Sequence, residues 1–299
     1  YAQSYARIRP DILLVMGDRF EMHAGALAAL PFKIPVAHIH GGELTEGAID
    51  DALRHSITKL SHLHFVATEQ YRDRVIQLGE EPWRVSVSGA PSLDNLRSLD
   101  LMDAGGLESK FGLNLATPPL LVTFHPVTLE YQDTEWQVKE LVAALEASKM
   151  PVVITQPNAD TSGRTVTSML RDYAESHSNV QVVDNLGTHG YFSLMTQATA
   201  MVGNSSSGII EAPSFHLPVV NIGIRQKGRV RGSNVIDVGY NREQVLEGIR
   251  KTQDPQFRKK VQESVNPYDH GDASGSIVKR LIDVELNEAL VRKSFHQVP

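Results

Sequence analysis

The sequence predicts an α/β protein of two Rossmann-like parallel-sheet domains, and three observations carry that reading. Ten short runs rich in β-branched and aliphatic residues recur along the chain, each followed by a longer segment of helical period, the alternation expected of parallel βα units. A stretch over 103–119 carrying Gly105-Gly106 and Pro118-Pro119 separates four of these runs from six and reads as a linker. The chain has 299 residues, 41% of them hydrophobic and 21% charged, enough apolar material for two ordinary cores.

In order, strands are expected within 11–17, 36–39, 64–68 and 85–89, giving an N-terminal domain over 1–110. Strands within 120–124, 152–156, 180–183, 200–203, 219–223 and 235–238 give a C-terminal domain over 111–273. A last helix over 274–293, with Ile277, Leu281, Ile282, Val284 and Leu286 on its packing face, falls in a closing segment 274–299 that returns over the domains. The chain opens at Tyr1 on what reads as the end of a helix entering a strand, so the N-terminal sheet is expected to lack its first strands.

Composition narrows the function. Net charge is −6 with a pI near 6.1, which disfavours general nucleic-acid binding and makes any anion site local, for instance around Arg225, Lys227, Arg229 and Arg231. With no cysteine there are no disulfides, thiolate nucleophiles or cysteine-ligated metals. No apolar run has the length of a membrane span and no secretory leader is evident, so the cytoplasm is the expected location. The histidines lack the spacing of a helical metal pair, and no metal is expected. Neither Gly-x-Gly-x-x-Gly nor a Walker loop follows any strand.

Ligands of open α/β sheets lie beyond the carboxyl ends of the strands. Four such ends stand out: Gly17-Asp-Arg19, His38-Ile-His-Gly-Gly-Glu43, Phe124-His-Pro-Val-Thr128 and Gly203 to Ser207. The last reads as a phosphate-binding corner, a strand running through serines into a helix whose free N–H groups and dipole would face an anion. Glu211 suits a neutral hydroxylated group such as a ribose better than a phosphate. A serine-capped helix without a ligand is the alternative. Asp18 reads either as a helix N-cap or as a carboxylate at the mouth of an interdomain cleft beside Arg19. The segment 38–55 is the densest in titratable groups, with Gly41-Gly42 allowing a tight turn. In the helix that follows, Ile49, Leu53, Ile57 and Leu60 form the expected buried stripe, leaving Asp50, Arg54 and Thr58 on a charged face. Dipole complementarity explains one of Asp50 and Asp51. It does less for His38, His40, Glu43, Asp50 and Asp51 together, a cluster suited to proton abstraction from carbon.

With Gly17-Asp-Arg-Phe-Glu21, His40-Gly-Gly-Glu43, Ile49-Asp-Asp51, Arg54-His-Ser-Ile-Thr-Lys59, Phe124-His-Pro-Val-Thr128, Gly203-Asn-Ser-Ser206, Glu211 and Asn221-Ile-Gly-Ile-Arg-Gln226, the chain resembles hydrolysing UDP-N-acetylglucosamine 2-epimerases of the sialic-acid pathway over nearly its whole length. The resemblance implies the GT-B architecture, a homo-oligomer, and a cofactor-free reaction in two stages. The C2 proton and UDP are lost to give a glycal, and water then adds to give N-acetylmannosamine. Carried over residue by residue, it implies acid/base roles for Asp18 and Asp50, with Glu43, Asp51 and His40 in support. Arg19 and His125 become diphosphate contacts, and Asn158, Arg164, Leu186, Ser205, Ser206, Glu211 and Arg225 the nucleotide pocket. Two departures stand out. His40 occupies a place where UDP-specific members carry glutamate, and Leu44-Thr-Glu-Gly-Ala48 is similar to relatives acting on GDP-linked diacetamido sugars toward legionaminate. The family's leading Gly-Thr-Arg-Ala-Asp-like phosphate loop does not occur in the chain. A non-hydrolysing epimerase, a glycosyltransferase and a nucleotide-sugar-binding remnant share the same architecture.

Overall fold

The computed structural model describes residues 1–157 and 162–298, which fall into two compact units. Unit 1 comprises Tyr1–Thr45, Ile49–Arg97 and Pro267–Pro299. Unit 2 comprises Glu46–Ala48 and Ser98–Asn266.

In unit 1, strands β1 (Leu13–Met16), β2 (Val36–Ile39), β3 (Leu63–Val66) and β4 (Val85–Val87) pair in parallel in that spatial order. Helices α1 (Ala2–Ile8), α2 (Phe20–Ala29), α3 (Asp50–Leu60), α4 (Glu69–Gln77) and α5 (Asp94–Ser98) alternate with them. Successive strand residues face opposite ways. On one face Val15 and Val36 pack with Tyr5, Ala26, Ala29 and Ile57. On the other, Ala37, Ile39, Leu63 and Phe65 pack with Ile277 and Leu290 of the returning chain.

Unit 2 holds α6 (Ala104–Phe111), β5 (Leu120–Thr123), α7 (Thr134–Ser148), β6 (Val152–Thr155), α8 (Gly163–Glu175), β7 (Val180–Val183), α9 (Gly187–Gln197), β8 (Ala200–Gly203), α10 (Ser207–Ile210), β9 (Val219–Ile222), β10 (Val235–Val238), α11 (Arg242–Lys251) and α12 (Pro255–Gln262). Its sheet is parallel with order β10-β9-β8-β5-β6-β7. The chain therefore winds outward from β5 in one direction and from β8 in the other. The carboxyl ends of β5 and β8 flank this topological switch, the place where such sheets bind ligands. Val122, Val138, Leu141, Ile154, Val166, Leu170, Val202, Val220 and Val245 are among its core residues.

Two segments differ from the sequence expectation. Within 103–119 lies a helix, α6, because Asp103 accepts a hydrogen bond from Gly106 N as its N-cap and Leu107 is fully buried. The closing helix is shorter than expected. It ends as α13 (Ala273–Asp283) where Val284 turns extended, and the chain resumes in a single turn, α14 (Glu288–Val291), capped by Asn287. Among the described residues no helix is long and apolar enough to cross a membrane.

Candidate active site

Unit 1 gathers its polar groups where β1 and β2 end. After β1 the backbone turns through Gly17 at φ +79° and delivers Asp18. Asp18 is not the cap of α2: Arg19 holds the N-cap position without a side-chain cap bond, and the Asp18 carboxylate accepts from the Arg54 guanidinium. Arg54 is only 2% exposed. The face of α3 that bears Arg54 and Thr58 is thus turned inward, while Ile49, expected in the buried stripe, is 57% exposed. Polar groups arriving from β1 and β2 need partners out of water, and Arg54 and Thr58 supply them. Arg54 is the buried member of the pair and Asp18 the partly exposed one, which places the pair between a fully buried one and an exposed one worth at most about 1 kcal/mol.

His38, fully buried on β2, braces this corner. Its Nε2 lies 2.8 Å from the Gly17 carbonyl and its Nδ1 lies 3.2 Å from Thr58 Oγ1. A carbonyl can only accept, so Nε2 carries the proton and Nδ1 accepts from the threonine hydroxyl. Burial pushes the imidazole down to about 3, against the opposing influence of the Gly17 bond. His38 is therefore a neutral strut that fixes the peptide before Asp18.

His40 follows β2 in the left-handed region at φ 67°. Among the described residues, of the six non-glycine residues with positive φ, Arg9, Lys33, Lys149 and His216 end helices, Ser162 precedes one, and His40 ends a strand. That conformation costs about 1–2 kcal/mol in an L-residue. It turns the ring so that Nδ1 lies 2.7 Å from Glu43 Oε1, and Glu43 itself is 1% exposed. Gly42 makes the turn possible, since at its φ of +76° a Cβ would stand 2.4 Å from the Tyr71 carbonyl oxygen. Asp50 opens α3. Asp51 ties the loop to the helix: its Oδ1 accepts from Thr45 N at 2.7 Å and its Oδ2 lies 3.5 Å from His55 Nε2.

Unit 2 brings together the ends of β5 and β8. Gly203, at φ +140°, lies so close to β5 that a Cβ would fall 2.0 Å from the Thr123 carbonyl oxygen. Fully buried Asn204 then bridges the switch: its Oδ1 accepts from His125 N at 2.7 Å and its Nδ2 donates to His125 O at 2.8 Å. Its own carbonyl accepts from Arg225 Nη1 at 3.2 Å and Gln226 Nε2 at 2.8 Å, which draws the β9 turn to the same point. Beside it, the Tyr191 hydroxyl lies 3.3 Å from Thr123 Oγ1, which in turn lies 2.6 Å from Thr155 Oγ1. Burial raises the Tyr191 phenol to about 12 against the lowering influence of Thr123, Ser207 and Ser205. The phenol therefore stays a neutral donor. Glu211 is 9% exposed.

Against this geometry, a family profile described as UDP-N-acetylglucosamine 2-epimerase matches residues 1–282. The chain belongs to that family. It is 42% identical over 243 residues to the GDP/UDP-N,N'-diacetylbacillosamine 2-epimerase (hydrolyzing) of Campylobacter jejuni, a match covering 81% of this chain and 63% of that relative. It is 36% identical over 284 residues to the UDP-N,N'-diacetylbacillosamine 2-epimerase (hydrolyzing) of Legionella pneumophila, covering 95% of this chain and 74% of that one. The chain thus spans less than two thirds of the Campylobacter relative's length. Among solved structures, UDP-GlcNAc 2-epimerase from Neisseria meningitidis bound to UDP-GlcNAc superposes with a TM-score of 0.81 at 24% identity, over 95% of this chain and 79% of that one. The fold is accordingly GT-B, with two parallel-sheet α/β units.

In this epimerase-family chain, the residues expected from sequence separate by unit. Asp18, Arg19, His40, Glu43, Asp50 and Asp51 lie in unit 1; His125, Arg164, Leu186, Ser205, Ser206, Glu211 and Arg225 lie in unit 2. Asn158 lies outside the described residues. Arg19 is half-exposed with Nε 3.7 Å from Glu21, Arg164 is exposed on α8, and Leu186 is buried at the start of α9. The serine corner corrects one expectation. The helix after it, α10, is a single turn of four residues, and Ser206 at its N-cap makes no side-chain cap bond. Ser205 Oγ instead accepts from Ser207 N at 3.3 Å. Sequence reasoning passed over Asn204, Thr123 and Tyr191. Asn204 sat inside a motif already noticed, at a strand end; Tyr191, mid-helix and aromatic, carried no signal distinct from a core residue.

Proposed function

We propose that this chain catalyses the hydrolysing 2-epimerisation of a nucleoside-diphosphate-linked N-acetylated amino sugar, with acid/base chemistry on unit 1 and nucleotide binding on unit 2. The observation that carries the reading is the switch of unit 2, where Asn204 ties His125 to the serine corner and draws Arg225 to it. Neutral hydroxyls and cationic side chains at such a switch suit a diphosphate, and they suit it best as a leaving group whose charge grows in the transition state. In this assignment Arg19, His125, Ser205, Ser206 and Arg225 hold the diphosphate and nucleoside. Glu211 accepts from the ribose, and Asn158, Arg164 and Leu186 complete the nucleotide pocket. Asp18 and Asp50 serve the sugar, assisted by His40, Glu43 and Asp51.

The sugar is proposed to be a diacetamido sugar of the N,N'-diacetylbacillosamine type. His40 in place of glutamate and the names of the Campylobacter and Legionella relatives support this. UDP-N-acetylglucosamine is the second substrate, supported by a 34% identical relative of Neisseria meningitidis named UDP-N-acetylglucosamine 2-epimerase. The test is to incubate the protein with UDP- and GDP-linked diacetylbacillosamine and with UDP-N-acetylglucosamine. Free nucleoside diphosphate and the free C2-inverted sugar are expected. Recovery of an epimerised but still nucleotide-linked sugar would identify a non-hydrolysing enzyme, and an acceptor-dependent product a glycosyltransferase. Asp18→Asn and Asp50→Asn should lower turnover more than UDP affinity, and Ser206→Ala and Arg225→Ala should do the reverse.

A further inference from the structure

We infer that His40 and Glu43 form a proton-transfer dyad in which His40 Nε2 is the atom that removes the sugar C2 proton, an inference that rests on the epimerase reading above. Four observations converge on it. The Nδ1–Oε1 distance of 2.7 Å joins the ring to a carboxylate that is almost wholly buried. An ionised carboxylate only accepts, so Nδ1 carries the hydrogen and Nε2 presents a lone pair. Nε2 makes no hydrogen bond among the described residues, and the side chain retains 16% exposure. The backbone is strained to hold the ring there, at a strand end rather than a helix end.

The neighbouring groups are differently engaged. Asp18 is ion-paired to buried Arg54. Asp51 is occupied by Thr45 N and His55, and His38 is fixed in the opposite tautomer by the Gly17 carbonyl. His40 is the group whose proton affinity is directed outward by a buried partner, the arrangement that orients an imidazole base.

The step balances as follows. The C2–H bond breaks and its proton passes to Nε2, giving an imidazolium facing the Glu43 carboxylate. The electron pair becomes the C1=C2 double bond of the glycal, and the C1–O bond breaks with its pair leaving on the diphosphate oxygen. A proton then reaches the opposite face of C2 from a carboxyl group, Asp50 in the assignment above, and water adds its oxygen to C1. The water's remaining proton and the imidazolium proton return to solvent as the carboxyl is reprotonated, so one proton is released per nucleoside diphosphate formed.

Two measurements on the same protein test this. Nitrogen-15 NMR of His40 should show the Nδ1–H tautomer when the ring is neutral; an Nε2–H tautomer would overturn the dyad irrespective of activity. In turnover assays His40→Gln should lose at least about 100-fold in kcat with the Kd for UDP within twofold, and Glu43→Gln about tenfold. Wild-type activity with His40→Gln retaining kcat within threefold overturns the proton role and leaves the epimerase reading standing. No nucleotide release by the wild type from any of the three sugars overturns the epimerase reading, and the proton role with it.

Discussion

At the strand ends of unit 1 the polar atoms are charged or chargeable and meet in partly buried pairs, Asp18 with Arg54 and Glu43 with His40. At the β5/β8 switch of unit 2 most of them are neutral, an asparagine, two threonines, a tyrosine and serines joined through hydroxyl and amide bonds, with Arg225 and Glu211 at the margin. The difference follows from what each place is proposed to meet. A phosphate brings its own charge, so neutral donors can wait for it without a desolvated charge of their own. Proton transfer at carbon requires groups that change charge, and burial keeps such groups stable only when each is partnered.

The largest expected effect tests the backbone half of this contrast. Gly203→Ala places a methyl 2.0 Å from a backbone oxygen at a φ that only glycine adopts readily. It should destabilise unit 2 on the order of 4 kcal/mol or abolish its folding, read by chemical denaturation. Tolerance of the alanine would show that β5 and β8 are less rigidly spaced than described. Next, Arg54→Met leaves the partly exposed Asp18 carboxylate without its guanidinium, and a loss of about 1–3 kcal/mol is expected in the same measurement. A loss below 1 kcal/mol would put the pair in effect at the surface.

The pH response should also divide the units. The folded-state pKa of His38 is depressed to about 3, so below its ordinary value of 6.5 the unfolded chain takes up a proton that the folded chain refuses. Stability is therefore complete above pH 6.5 and is lost as pH falls from 6.5 toward 3, by about 2 kcal/mol at pH 5 from this residue. Hydrogen exchange at pH 5 should open unit 1 before unit 2, and His38→Gln should flatten the dependence. An equal response in both units would break the contrast.

Two smaller effects sharpen it. Asn204→Ala removes the side chain that bonds both the N–H and the C=O of His125 and should weaken UDP binding by calorimetry about tenfold, with less effect on turnover of bound substrate. Lys227→Ala removes an ion pair with Glu46 whose side chains are 66% and 41% exposed. It should change stability by less than about 0.5 kcal/mol, which sets the scale of an exposed pair against the buried ones.

The ten strands of the described residues were legible because parallel βα units repeat a strong local signal, short β-branched runs between helical segments. So were the strand-end motifs, because polar residues and glycines directly after such runs have few other reasons to cluster. The buried face of α3 was legible in part: of the expected stripe Ile57 is buried and Leu60 packs on the core, but Ile49 is exposed and the structure also buries Arg54 and Thr58. Periodicity ranks residues by solubility and does not register that Asp18 and His38 arrive from other strands needing partners. The shortness of α10 did have a local signal, Gly208 within it and Pro213 just beyond it.

The sequence by itself determined the alternation of elements, the kinds of side chain at the strand ends and, through its motifs, membership of the epimerase family. These follow from local propensity and from residue order, which need no knowledge of distance. Only the tertiary structure decided that β5 and β8 are neighbours, that Asn204 joins their ends, that Asp18 answers to Arg54 and that His40 is turned in strain onto Glu43. Each is a pairing whose free energy depends on two atoms being brought together out of water.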